Sequence, residues 1–421
     1  MPIAKISPER ALVIGGGIVG LSVAIALQGK GISTILVAPS GMRGTASWGN
    51  AGHIATEQVE PLASAALVKS AWRRLFWRGG ALSLPPGEIA HWLPFSLRLL
   101  LAARPSGYAR GRAALEAALA QAMPAWRRLV AVADAPGLLI ERGHFIAWES
   151  EASAEKGRAH WLAAPTGSAR VRDVTPAELA QLRALVSAPI AGAIRFEGSG
   201  QIADPDLLAD ALEATFLRLG GARRSGIATL RRTAGGAVEA ISADGALLTS
   251  GPVVIAAGAA SGALLRPLGH AVPIIAERGY HIQSDGAGWP EDLPPVVFED
   301  RSLIVTRFRS GLRAASFVEF GSIATPPDAR KWARLRAHAA AIGLPFAGAV
   351  HEWIGARPTL PDYLPAIGRS SAAPNLFYAF GHQHLGLTLG PVTGEAVAAL
   401  IAGETPELDL APFDLRRFGG S

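Results

Sequence analysis

Ala11-Leu-Val-Ile-Gly-Gly-Gly-Ile-Val-Gly20 is the stretch that decides the fold. Four apolar residues predict a strand, residues 21–29 predict a helix, and Gly15, Gly17 and Gly20 fall at the turn between them. In such a strand–turn–helix one glycine makes the sharp turn and one lets a pyrophosphate approach the backbone. The third lets helix and strand pack closely. With Ile18 and Val19 opening the helix, its free N–H groups and dipole favour an anion there. The expectation is a site for an ADP moiety, with an ordinary glycine-rich turn as the plain alternative. One partner is missing. The next strand, Ser33-Thr-Ile-Leu-Val37, should end in an acid that hydrogen-bonds the adenosine ribose, and Ala38 stands there instead. Ser40 and Arg43 are the nearest polar substitutes, and neither replaces a bidentate carboxylate.

A chain of 421 residues has room for two or three domains, and 49% hydrophobic against 18% charged residues provides a large core. Cysteine is absent, which excludes disulfides, thiol catalysis, thiolate-held metals or iron–sulfur clusters, and cysteinyl-flavin bonds. The net charge of +6 comes with five lysines against 35 arginines, the bias of a GC-rich bacterial genome. No basic run argues for nucleic acid. Lys5 and Arg10 precede an uncharged run, residues 11–28, in the manner of a signal peptide. Four glycines interrupt that run and no convincing cleavage site follows, so an intracellular, cytoplasmic protein is expected.

Beyond residue 60 the chain turns largely helical. Residues 113–132 carry a helical apolar pattern with Pro124 inside, which predicts a kink or a restart. Residues 143–148 predict a short strand, and Asp204-Pro-Asp predicts a helix capped by Asp204. Val253-Val-Ile-Ala-Ala-Gly258 runs from an apolar strand into small residues, as a chain does beside a cofactor. Residues 271–350 alternate strands and loops, and a helix is expected over 393–402. This pattern predicts an α/β nucleotide domain built from 1–60, 190–270 and 350–421. A substrate domain would be inserted as 61–189 and 271–349.

Further segments stand in the order expected of one superfamily: Ser47-Trp-Gly-Asn-Ala-Gly-His53, Glu277-Arg-Gly-Tyr-His281, Leu312-Arg-Ala-Ala-Ser-Phe-Val-Glu-Phe320, Gly355-Ala-Arg-Pro358 and Gly381-His-Gln-His-Leu-Gly386. With the N-terminal fingerprint they resemble the FAD-dependent D-amino-acid oxidase/dehydrogenase superfamily in its glycine-oxidase-like branch, and most closely bacterial D-hydroxyproline and D-amino-acid dehydrogenases. The resemblance implies a Rossmann-like FAD-binding domain with an inserted α+β substrate domain, and a flavoprotein oxidoreductase with non-covalent FAD. It places Ser47, Asn50, Ala51, Gly52 and His53 along the flavin ring and Ala257 and Gly258 beside the cofactor. Gly381, His384, Gly386, Leu387 and Thr388 would meet the pyrimidine side and ribityl chain, with Gly355 nearby. A histidyl-flavin bond through His53 is the less favoured alternative. His53, His382 and His384 have no recognisable metal-ligand spacing, and no metal is expected.

By the same resemblance Arg357 grips the substrate carboxylate. An ion pair with Asp362 or Glu352 is the structural alternative. Tyr280 and His281 would hydrogen-bond the substrate or help deprotonate its ammonium, and Glu277 and Arg278 would pair with other charges. The implied reaction is hydride transfer from Cα of a D-proline-like or 4-hydroxy-D-proline-like substrate to flavin N5. The rivals are a sarcosine- or glycine-type oxidase using O₂, and the FAD subunit of a heteromeric dehydrogenase. A dehydrogenase also needs an electron acceptor, a quinone or an electron-transfer protein. Aromatics interleaved with arginine in Trp72-Arg-Arg-Leu-Phe-Trp-Arg78 and Trp92-Leu-Pro-Phe-Ser-Leu-Arg-Leu-Leu-Leu101 fit peripheral contact with the inner membrane, or burial against their own domain.

Overall fold

The strand Ala11–Ile14 sits inside a six-stranded sheet, in the order Ala222–Ser225, Thr34–Ala38, Ala11–Ile14, Val253–Ile255, Leu376–Phe380, Ala366–Arg369. The first five strands are parallel and the last is antiparallel. The computed structural model describes residues 10–39, 44–346 and 348–419. Both faces of the sheet's centre are covered, so its four central strands are buried and largely apolar, while the edge strand Ala222–Ser225 is polar and mostly exposed. Val13, Leu36, Val254 and Phe377 face the helices Ile18–Gly29, Pro205–Arg218 and Gly386–Ile401. Leu12, Ile35, Val37 and Val253 face a small three-stranded sheet and the turns after Ser261.

The helix Gly386–Ile401 starts earlier than the sequence pattern indicates. It is buried along most of its length and therefore apolar all round, so it has no amphipathic stripe to announce it. It packs on Ile18–Gly29 at close range: a Cβ on Gly394 would lie 2.6 Å from the Ser22 carbonyl carbon. Pro124 marks a restart. The helix Pro105–Ala120 ends at Gln121, and Pro124 stands in the first turn of Ala122–Val132, where its missing N–H costs nothing. Asp204 caps Pro205–Arg218, its carboxylate accepting the amides of Asp206 and Leu207 at 2.9 and 3.1 Å.

A second sheet has nine strands and is mostly antiparallel, with the helix Ala329–Ile342 packed on its core. Its first strands in spatial order are His351–Thr359, Ile275–Ser284 and Gly311–Gly321. Gly192–Glu197 and His351–Thr359, assigned by sequence to the nucleotide domain, belong to this sheet. Their membership depends on pairing with distant strands, which a local pattern does not reveal. The His351–Thr359 strand carries Arg357 to a cavity wall.

Candidate active site

The glycine turn has the expected geometry. Gly15 has φ +126°, and a Cβ there would lie 2.2 Å from the Ala256 carbonyl oxygen. A Cβ on Gly20 would come within 1.8 Å of the Gly15 oxygen, so helix and strand approach as only glycine allows. Gly17 is the N-cap of Ile18–Gly29, and its neighbour Ser47 accepts the Ile18 amide at 3.0 Å. Ser47 thereby ties the 47–53 loop to the turn. Ala38 is buried at the end of its strand. Ser40 and Arg43 lie outside the described residues.

A continuous cavity of about 1890 Å³ runs from this turn to the nine-stranded sheet. Gly15, Gly17, Ile18 and Val19 line one end, and Ala257 and Gly258 lie along its wall. Ser47, Asn50, Ala51, Gly52 and His53 line it too, as do Tyr280, Gly355, Arg357, His384, Gly386 and Leu387. Gly20, His281, Gly381 and Thr388 do not. Gly20 and Gly381 serve the backbone, Gly381 with φ +81°. Thr388 accepts the Ala55 amide at 3.0 Å and so positions the segment after His53.

The 47–53 loop is braced from within and from outside. The Gly52 amide donates to Asn50 Oδ1 at 2.6 Å, and Thr306 donates to the Ala51 carbonyl at 2.8 Å. Arg313, a residue sequence reasoning passed over, donates to the carbonyls of Asn50 and Trp48 while stacking on Phe308 at 4.7 Å. Its burial lowers the guanidinium to about 10. The only sequence signal for it is an arginine in a strand whose other residues, Ser316 and Glu319 apart, are apolar or glycine.

Arg357 is partnered by neither acid proposed for it. Asp362 pairs with Arg417 at 2.6 Å and Glu352 with Arg336. Across the strand register Arg357 faces Glu277, and its Nη1 donates to Glu277 Oε1 at 3.3 Å and to the Phe317 carbonyl at 3.1 Å. Glu277 is 1% exposed and also accepts from Thr359 and Tyr363, at 3.1 and 3.2 Å. Burial and that carboxylate raise the Tyr363 phenol well above its ordinary value. Two local distortions aim the group. Phe317 has φ +71°, and the facing strand bulges between Arg278 and Tyr280. Gly279 leaves room: a Cβ there would lie 2.3 Å from Arg357 Nη2.

Tyr280 lines the cavity, but its hydroxyl is occupied. It donates to Glu319 at 2.8 Å and accepts the Asp328 amide at 3.2 Å, in a buried network with Arg278 and Lys331. Burial, with Glu319 beside it, raises its phenol pKa. His281 departs from expectation. It points off the cavity, bonds the Gly49 carbonyl at 2.8 Å and stacks on Trp353. Alternating strand geometry puts neighbouring residues on opposite faces, so Tyr280 and His281 do not share a site.

The three singled-out histidines are not brought together as a trio. His382 bonds Thr393 at 2.9 Å, and His384 Nε2 meets Gln58 Oε1. Burial, with Arg357 nearby, lowers His384 below its ordinary range. His53 meets two residues sequence reasoning missed: Glu57, with Nε2–Oε1 at 3.0 Å, and His144, with ring centroids 4.4 Å apart. Burial pushes the Glu57 carboxyl up, but the two imidazoles outweigh it and hold it at about 2. Burial, then His53, holds His144 at about 3.

These residues fit FAD. The glycine cradle and the Ile18–Gly29 N-terminus suit a pyrophosphate. A second helix N-terminus, at Gly386, lines the same cavity and would favour the negative charge of a reduced flavin held there. The chain is 30% identical over 424 residues to a D-amino-acid oxidase of Bradyrhizobium diazoefficiens, covering 97% of this chain and 99% of that protein. It is 30% identical over 418 residues to D-amino acid dehydrogenase 2 of Pseudomonas aeruginosa, covering 95% and 97%. In fold it is similar to glycine oxidase from Geobacillus kaustophilus, with a TM-score of 0.71, 22% identity and coverage of 97% and 98%. Residues 10–400 match the profile of the FAD dependent oxidoreductases. The chain therefore belongs to the FAD dependent oxidoreductase family that includes the D-amino-acid oxidases and dehydrogenases.

Proposed function

We propose that the protein is a dehydrogenase of D-amino or D-imino acids, of the D-proline or 4-hydroxy-D-proline type. Arg357 carries this reading. Its guanidinium is held on one side by Glu277 and the Phe317 carbonyl, yet its side chain stays 27% exposed on the cavity wall. A planar cation so placed suits a substrate carboxylate and fixes the direction of Cα. Phe317, Ile354 and Tyr363 line the same cavity and suit an apolar ring. FAD, when bound, supplies the two-electron acceptor for the Cα hydrogen. The names of the Bradyrhizobium and Pseudomonas relatives support the D configuration.

An anaerobic titration of the purified protein with D- and L-amino acids tests this reading, following the flavin band near ~450 nm. Bleaching by D-proline or cis-4-hydroxy-D-proline is expected. Bleaching only by glycine or sarcosine would move the substrate class, and no bleaching by any amino acid would remove it.

The Bradyrhizobium relative's name favours a second reading, an oxidase that reduces O₂. Peroxide released under air in step with substrate use would establish it. Two surface features support the dehydrogenase and an acceptor reached at a membrane. Trp72, Trp77, Ile89, Leu93, Leu97, Leu100 and Leu101 are all exposed, Trp77 at 71%. Arg73, Arg74, Arg78 and Arg98, also exposed, lie among them and suit an anionic bilayer surface. Trp92, Ser96 and Leu100 of the same segment also line the cavity. The protein should sediment with vesicles containing phosphatidylglycerol, and Leu93→Glu with Leu97→Glu should release it. Equal sedimentation of the double variant would remove the membrane role.

A further inference from the structure

Arg357 can grip a substrate carboxylate only if Glu277, the acid directly across the strand pair, does not take the whole guanidinium for itself. Building on the proposed reading of Arg357 as the substrate anchor, we infer that Tyr363 is a positioning residue. Its phenol draws Glu277 back, so that the acid meets Arg357 through one nitrogen and leaves the rest of the fork for the substrate.

The contacts divide in this way. Glu277 Oε1 accepts from Arg357 Nη1 at 3.3 Å, while Oε2 accepts from Tyr363 at 3.2 Å and from Thr359 at 3.1 Å. A charge-assisted pair free to close would sit at about 2.7–2.9 Å. Nη1 also donates to the Phe317 carbonyl at 3.1 Å, so both protein contacts fall on the same nitrogen. Among the described residues Nη2 and Nε have no hydrogen-bond partner. Nη2 lies over Gly279, which lines the cavity with Arg357. Two N–H groups on one planar edge are what a carboxylate meets bidentately.

Backbone strain marks the same chain of contacts. Among the described residues five non-glycine positions have a left-handed φ, and three belong here: Phe317 at +71°, Tyr363 at +57° and Gln383 at +48°. All three line the cavity. A bulky residue in that region is strained and persists only where its surroundings fix it. Here they do. The Gln383 side-chain amide donates to the Tyr363 carbonyl, and the Tyr363 amide donates to the Leu360 carbonyl at 2.9 Å. Thr359 pairs with His382 in a lone antiparallel bridge, so the turn before Gly386–Ile401 and the end of the Arg357 strand hold each other. The phenol is buried, and burial with Glu277 beside it raises its pKa well above the ordinary value, so it stays a donor to the acid.

Without that hydroxyl, Oε2 keeps only Thr359. A buried carboxylate short of a donor turns to the nearest cation, Arg357, and covers N–H groups that the substrate needs. An amide in place of the acid cannot compete in this way, so the effect of Tyr363 must run through Glu277.

The test is a double-variant cycle on the FAD-loaded enzyme, with KM and kcat measured for a D-amino acid that reduces it. Tyr363→Phe keeps the ring and loses one oxygen. It should raise KM about tenfold, with a smaller change in kcat. Glu277→Gln should not raise KM, and Tyr363→Phe added to it should change KM by less than about twofold. Thr359→Val should act in the same direction as Tyr363→Phe, while Thr359→Ser, which keeps the hydroxyl, should restore the wild-type KM. The dissociation constant of pyrrole-2-carboxylate, which has no Cα hydrogen to lose, should follow KM across the series when read from the flavin band. An unchanged KM in Tyr363→Phe, or a rise by the same factor in the Glu277→Gln background, would overturn the inference and leave the phenol a packing group. So would a loss in kcat with KM unchanged. If Tyr363→Phe does not fold or loses FAD, the Thr359 variants decide in its place, and equal KM in Thr359→Val and Thr359→Ser overturns the inference. Failure of the parent reading is separate, for Arg357→Leu would then leave KM unchanged whatever Tyr363→Phe does.

Discussion

Arg357 is asked to do two things, hold a substrate and satisfy Glu277, and different variants separate them. Arg357→Leu removes the charge-assisted bonds to a carboxylate, each about 1.5–3 kcal/mol, so KM should rise on the order of a hundredfold while the bound flavin spectrum stays unchanged. It also strips a buried acid of its cation. Glu277 keeps its bonds from Thr359 and Tyr363, and Arg357 is partly exposed, so a modest loss of stability is expected. Adding Glu277→Gln to Arg357→Leu should recover the melting temperature and leave KM high. If KM for the amino acid is unchanged in Arg357→Leu, the arginine does not anchor substrate. Gly279→Ala probes the same site from below. Its methyl would meet Nη2 at 2.3 Å, so the guanidinium must move, and KM should rise with no charge removed.

At the scale of elements, the loop over 47–53 is placed by what lies beneath it. Arg313→Met should leave the Asn50 and Trp48 carbonyls without their donor and cost about 1–3 kcal/mol of loop order. The expected readout is FAD affinity weakened at least about tenfold in a fluorescence titration, with Arg313→Lys only partly restoring it because the planar fork is lost. Unchanged affinity would mean that Ser47 and Thr306 hold the loop on their own. The same distinction between local and distant causes explains what could be read from the chain. The turn at Gly15–Gly20 was legible because strand, glycines and helix are contiguous, and so was the Asp204 cap. The start of the helix at Gly386 was not, because a buried helix shows no stripe and Pro391 lies within it. That the strand Gly192–Glu197 joins the nine-stranded sheet was not legible for a third reason, that its partners come from elsewhere in the chain. The site divides along the same line. Arg357 was visible in its motif, while Glu277 opposite it depended on strand register. Glu57 beside His144 depended on two separate segments meeting at the cavity.

Over the whole molecule, burial of neutral imidazoles makes stability a function of pH. His144, His281 and His382 are each no more than 5% exposed and, chiefly through burial, titrate at about 3 in the folded protein. In the unfolded chain an imidazole protonates below about 6.5. Between those values the unfolded state binds more protons, so folding is favoured at neutral pH and loses ground as pH falls from about 6.5 towards 3. Each fully uncoupled group contributes up to ~1.4 kcal/mol per pH unit, against a total stability of about 5–15 kcal/mol. Glu57, held at about 2 by its two imidazoles against an ordinary 4.5, adds a further loss below about 4.5. With FAD in excess, the thermal midpoint should be nearly level between pH 9 and 7 and then fall steeply towards pH 5. Denaturant titrations over pH 6 to 5 should give a slope well above that of one group. His281→Gln should lower that slope by about one group's share, since an amide can keep a hydrogen bond to Gly49 without taking up a proton. A slope below ~1.4 kcal/mol per unit in wild type would mean that water reaches these rings, and that the packing of Trp353 over His281 and of the Gly386–Ile401 helix over His382 is looser than the fold shows.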